Sequence, residues 1–194
     1  MSKILNVAII GVGSRGAKTY GDYLMKCPDR FKITSICEIK PDRLKKYQKE
    51  WSLDEKNCFI DENEFFKEKR ADAIIIATLD ADHVRHALMA INVGYDILLE
   101  KPITCKEEEL SLLKNKAAEK NVKILVCHVL RYTVAMNKIK ELIDNGEIGR
   151  LISIDHLENV AYWHQAHSFV RGNWRNSIET SPMILAKCCH DLDL

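Results

Sequence analysis

No apolar run in the 194-residue chain approaches the ~20 residues that a membrane-spanning helix needs. The apolar stretch in MSKILNVAIIGVGSRG is short and leads into glycines instead of a small-residue cleavage site, so no signal peptide is expected. No block of like charge occurs. The 29 basic and 28 acidic residues leave a net charge of +1, which speaks against nucleic acid or an anionic membrane as partner. No C-x-x-C pair exists among Cys27, Cys37, Cys58, Cys105, Cys127, Cys188 and Cys189, and their number is odd. That argues against a disulfide framework and for reduced thiols in a cytoplasmic protein. Internal repeats and low-complexity segments are missing too.

What is present is a regular alternation of short apolar runs with helical patterns. NVAIIG (6–11), FKITSICE (31–38), CFI (58–60), ADAIIIAT (71–78), YDILLEKP (95–102) and VKILVCH (122–128) read as strands. Helices are expected over about 15–25, from Pro41, after Asp61, over 80–93 with Gly94 as the stop, and after Thr104. Asp61 with Glu64, and Thr104 with Glu107, have capping-box spacing. Such βαβ units predict an α/β fold, a doubly wound parallel Rossmann sheet of strand order 3-2-1-4-5-6 over residues 1–126. After about Val126 the pattern changes. AMNKIKELIDNGEIG reads as a helix closed by Gly146, and RLISIDHLENVAYW as the start of a longer strand. Residues 127–194 are expected to begin a second, α+β substrate and oligomerisation domain that the chain leaves incomplete.

Gly11, Gly13 and Gly16 have G-x-G-x-x-G spacing, after an expected strand and before an expected helix. The first permits a tight turn, the second lets a pyrophosphate approach the backbone, and the third lets helix and strand pack closely. Ser14 and Arg15 open the helix, whose free N–H groups suit phosphate. Glu38 ends the second strand, where a carboxylate can bond the adenosine ribose hydroxyls. It favours NAD; Arg15, Lys40 and Arg43 lie near enough to hold the extra phosphate of NADP, the alternative. Thr78, Asp80 and His83 follow the fourth strand, where Asp80 can equally be a helix cap. Glu100 and Lys101 end the fifth, at the sheet edge where ligands of open α/β sheets bind. Lys101 can bond a substrate hydroxyl, or it is a surface lysine beside a turn.

CCHDLD gathers Cys188, Cys189, His190, Asp191 and Asp193. Structural zinc sites separate paired cysteines by about two to four residues, and adjacent helical side chains diverge. The reading is therefore no metal, although His164 and His167 could supply further ligands and keep zinc as the alternative. His190 and Asp193 share a helix face, which suits a histidine acting as proton acceptor, or else a plain surface histidine. Trp163, His164, His167, Arg171, Trp174 and Arg175 either line a sugar pocket or anchor a long loop.

Taken in order, VAIIGVGSRG, ICE, IIIATLDADHVRHALMAINVGYDILLEKPIT, HVLRYT, GEIGRLISIDHLE and KCCHDLD resemble the Gfo/Idh/MocA oxidoreductases, along essentially the whole chain. The resemblance implies a nicotinamide-dependent dehydrogenase of sugars, inositols or related polyols, forming a homo-oligomer when full length. It implies Lys101 and His190 as catalytic residues, Glu100, Thr78, Asp80 and His83 along the cofactor, and Asp193 near substrate; Arg131, His164 and Trp174 are further candidates for the substrate side. Two alternatives stay open: a nucleotide-binding fragment or NAD(H) sensor without catalysis, and a lyase or glycoside hydrolase that uses NAD transiently. The chain departs from the pattern at Ala186, where many members carry an aspartate four residues before the histidine. Asp193 or Lys187 would then have to set the basicity of His190.

Overall fold

A computed structural model describes residues 3–194. The chain divides into two compact units, Met1–Val126 and Cys127–Leu194.

The first unit is a six-stranded parallel sheet of β1 (Leu5–Ile10), β2 (Phe31–Cys37), β3 (Cys58–Phe59), β4 (Ala73–Ile76), β5 (Asp96–Leu99) and β6 (Ile124–Val126). Their order is β3-β2-β1-β4-β5-β6, the doubly wound order expected from the six apolar runs. Side chains alternate across a strand, so β1 feeds two cores. Ala8 and Ile10 pack with Ile74, Ile76 and Leu99 on one face; Val7 and Ile9 pack with Ile33, Ile36 and Ile75 on the other. The first face is covered by Ala87 and Ile91 of α4 (His83–Val93) and by Leu113 and Ala117 of α5 (Glu107–Lys120). The second is covered by Leu24 of α1 (Asp22–Lys26) and by Leu44 and Tyr47 of α2 (Pro41–Glu50). The strands can be apolar throughout because both faces are buried.

Helix ends follow local chemistry. Pro41 starts α2, and Gly94, at φ +85°, stops α4. Asp61 caps α3 (Glu62–Phe65) by accepting from the Asn63 amide at 2.8 Å. Two local expectations shift. The helix expected over 15–25 begins as a π-helical segment, Ser14–Gly21, before α1. Helix α5 starts at Glu107, and Thr104 bonds Glu109 at 2.5 Å and the Lys106 amide at 3.1 Å. The capping box with Glu107 is not made.

The second unit holds α6 (Val134–Asp144), α7 (Tyr162–Gln165), which runs into a π-helical turn over Ala166–Val170, and α8 (Met183–Leu192). Thr133 caps α6, and Gly146 follows its end at φ +70°. The strand expected from Arg150 is not formed. Residues 151–161 carry no regular structure, and Ile152, Ile154 and Leu157 are exposed. A strand exists only by pairing, and among the described residues this unit offers no second strand. No helix among the described residues is long and apolar enough to cross a membrane.

Candidate functional site

Parallel register brings strand ends to one edge. Ile10 lies beside Cys37 and Ile76, and Ile76 beside Leu99. The residues that follow, Gly11, Glu38, Thr78, Glu100 and Lys101, therefore share the carboxyl edge of the sheet.

The three glycines differ in what surrounds them. Gly11 takes φ +85°, and a Cβ there would stand 2.7 Å from the Ala77 carbonyl oxygen. A Cβ on Gly16 would collide with the Gly11 carbonyl oxygen. Gly13 is the reverse: φ −73° suits any residue, and a Cβ would meet only the Arg43 guanidinium, at 3.5 Å. Two glycines thus close the turn, and the third leaves room above the backbone. That room belongs to a cleft of about 390 Å³ lined by Val12, Gly13, Ser14, Lys18, Arg43 and Tyr47, among others. Amides at a helix start, the cations Lys18, Arg43 and Lys46 against the single acid Asp42, and an open backbone fit a dinucleotide phosphate.

Glu38 is buried, with its carboxylate fixed by the Lys40 amide at 3.0 Å and by Arg43 at 3.2 Å. Arg43 therefore bridges the space beside Gly13 and the carboxylate end of β2. Of the cations named for an NADP phosphate, Arg15 instead meets Glu100, 3.3 Å from Oε1.

Glu100 is also buried. Its Oε1 accepts from the Tyr20 hydroxyl at 2.6 Å, and its Oε2 accepts from the Lys101 amide at 3.2 Å. This carboxylate ties the π-helical segment to the backbone of Lys101, and Lys101 itself is half-buried.

His83 is almost wholly buried. Its Nδ1 lies 2.7 Å from the Pro102 carbonyl and its Nε2 lies 3.3 Å from the Thr78 carbonyl. An imidazole with one N–H donates to only one of these carbonyls, and the 2.7 Å contact to Pro102 is the shorter, so His83 ties the start of α4 to the loop after β5. Asp80 is buried at the start of the turn Asp80–Asp82. Sequence reasoning missed His86. It is buried, 3.0 Å from the Thr78 hydroxyl through Nδ1 and 2.7 Å from Glu62 through Nε2. Burial, followed by the charge of Arg85, pushes its pKa from 6.5 down to about 4. The neutral ring donates to Glu62 and accepts from Thr78, which leaves the Thr78 oxygen lone pairs for other donors. Glu62 and Tyr20 were equally unmarked, because nothing in their local sequence announces a distant partner.

In the second unit, Arg131 and Asp193 form a two-pronged ion pair, with both contacts at 2.5 Å. The Arg131 bond holds the Asp193 carboxyl below its ordinary range. Asp193 Oδ2 lies 3.8 Å from Nδ1 of His128, and His128 meets the His190 ring edge to face at 5.9 Å. The second candidate for setting the basicity of His190, Lys187, pairs with Glu158 at 3.4 Å, and Ala186 is buried in α8. Another histidine–carboxylate pair, His156 with Asp191 at 2.6 Å, was not anticipated. His164 stacks between Trp163 and Phe169, and Phe169 meets Trp174 at 6.4 Å. These rings contact one another in a chain, while Trp163 and Tyr162 remain largely exposed.

Residues 5–128 match the oxidoreductase family with an NAD-binding Rossmann fold, Gfo/Idh/MocA, and residues 140–194 match its C-terminal alpha/beta domain. Oxidoreductase P35 of Formosa agariphila is 40% identical over 84 residues, 43% of this chain and 26% of that protein. The NADP(+)-dependent scyllo-inositol 2-dehydrogenase of Bacillus subtilis is 26% identical over 144 residues, 74% of this chain and 38% of that protein. A crystal structure of scyllo-inositol dehydrogenase from Lactobacillus casei with bound NAD(H) and scyllo-inositol superimposes with a TM-score of 0.70. It is 24% identical, covering 76% of this chain and 43% of that one, a likeness that shows the fold. The chain spans less than half the length of these relatives. With well over half of its residues matched to the first domain and most of the remainder to the second, the chain belongs to the Gfo/Idh/MocA family of oxidoreductases.

Proposed function

We propose that this oxidoreductase transfers hydride between NAD and a secondary alcohol of an inositol, sugar or related polyol. The observation that carries the reading is the carboxyl edge of the sheet. An open backbone at Gly13, a fixed carboxylate at Glu38 and a lysine held through Glu100 stand there together. The named inositol dehydrogenases among the relatives support the substrate class. Glu38 supports NAD, since its buried charge would repel a 2′-phosphate; Arg43, which could offset that repulsion, is engaged with Glu38 itself.

The nicotinamide, when bound, supplies the hydride acceptor; the chain supplies position and charge. Backbone amides at the start of the Ser14–Gly21 segment hold the pyrophosphate. Lys101 donates a hydrogen bond to the substrate oxygen as negative charge builds on it. His190 accepts the hydroxyl proton, a role worth typically ~10²–10⁴-fold in rate. Thr78, with its proton directed to His86, offers an acceptor along the cofactor. The roles of Lys101 and His190 rest on the family pattern and on the surroundings of each residue in its own unit. Net NADH formation from a panel of inositols and sugars tests the proposal.

A further inference from the structure

We propose that His128, Cys189 and His190 form a binding site for a borderline divalent transition metal, with zinc the best match. Each of the three offers one donor atom, and these atoms all lie within 4.8 Å of one another. His128 precedes the turn Val129–Tyr132, while Cys189 and His190 are neighbours on α8. All three are half-buried, so the donors are partly desolvated yet reachable. Nδ1 of His128 is buried without a hydrogen bond, a polar atom that a ligand would satisfy.

The donor chemistry selects the ion. Two imidazoles and a thiolate suit zinc and its neighbours, whereas magnesium and calcium take oxygen donors. The carboxylate beside His128, Asp193, is already held by Arg131 through both oxygens. Bonds of about 2.0–2.1 Å to nitrogen and 2.3 Å to sulfur place tetrahedral donors roughly 3.3–3.6 Å apart. Closing the trio from 4.8 Å takes on the order of 1 Å, which small χ rotations supply. Water fills the fourth position, giving an open three-ligand site. Cys189 ligates as thiolate, so binding releases its proton to solvent.

The argument from spacing, that adjacent cysteines diverge, holds for Cys188 and Cys189. Cys189 and His190 are neighbours as well, but their donor atoms lie within 4.8 Å of each other and of the His128 donor, so here the neighbours converge. A metal here occupies His190. If His190 is the proton acceptor, as the proposed function holds, the loaded protein is inactive; the site itself does not depend on that reading.

Cobalt(II) titrated into the reduced protein tests the site. The expected result is one ion per chain, with a near-ultraviolet thiolate-to-cobalt band and visible bands of tetrahedral strength, all erased by equimolar zinc. Cys189→Ser should remove the thiolate band and His128→Gln should weaken cobalt at least about tenfold, while Cys188→Ser changes neither. X-ray absorption of the zinc-loaded, unsubstituted protein should show one sulfur and two imidazole nitrogens. The proposal is overturned by a missing thiolate band at saturating cobalt, by a band that survives Cys189→Ser or vanishes in Cys188→Ser, or by a zinc shell without sulfur. None of these readouts involves NAD or turnover, so failure here leaves the dehydrogenase proposal standing, and the reverse also holds.

Discussion

The Nδ1 nitrogen of His86 lies 3.0 Å from the Thr78 hydroxyl, on the loop that leaves β4, and the opposite nitrogen lies 2.7 Å from Glu62. A carboxylate so close would ordinarily favour the charged ring. Here Glu62 also contacts Arg85, and burial together with Arg85 keeps the pKa near 4 instead of 6.5. The folded protein therefore refuses a proton that the unfolded chain accepts between about pH 6.5 and 4. Stability contributed by His86 is complete above that window and is lost as pH falls through it, by on the order of 3 kcal/mol in full. The urea midpoint should be lower near pH 5 than near pH 7, and His86→Gln should shrink the difference. An undiminished difference in the variant would place the titration on another group.

The glycine fingerprint predicts two opposite phenotypes. Gly13→Ala meets only the tip of Arg43, so its melting temperature should stay close to that of the parent protein while NAD affinity drops by about tenfold or more. Gly16→Ala drives a methyl into the Gly11 carbonyl and should cost about 1–3 kcal/mol of stability as well as binding. Thermal melting beside calorimetric NAD titration reads both. Equal destabilisation by the two substitutions would mean that Gly13 is a turn residue like the others.

Glu38 and Arg43 set the cofactor test. A lost charge-assisted bond to ribose is worth about 1.5–3 kcal/mol, so Glu38→Ala should weaken NAD by roughly tenfold or more. The same change frees Arg43 from its 3.2 Å contact and should weaken NADP much less. Fluorescence titration of both nucleotides gives the ratio; an unchanged ratio refutes the assigned role of Glu38.

The sheet order, the three glycines and the strand-end residues were legible because each is written locally, in an apolar run and the turn residues after it. Other features needed the folded chain. The Tyr20–Glu100 bond spans residues on different elements, and the Glu62–His86 pair joins α3 to α4. Neither leaves a periodic mark. The strand expected from Arg150 shows the limit of alternation as a signal, since a pattern cannot pair with itself. The trio around His190 shows the limit of spacing. Cys189 and His190 look divergent on a helix wheel until His128 arrives from the turn before α6.

Net dehydrogenation by a bound nicotinamide nucleotide is read from near-ultraviolet NADH absorbance across a panel of inositols and sugars. The account predicts that at least one secondary polyol yields NADH, and that Lys101→Ala abolishes the signal while NAD still binds. NAD binding with no net NADH from any member of the panel would contradict the account, and full activity in Lys101→Ala would contradict the role given to that lysine.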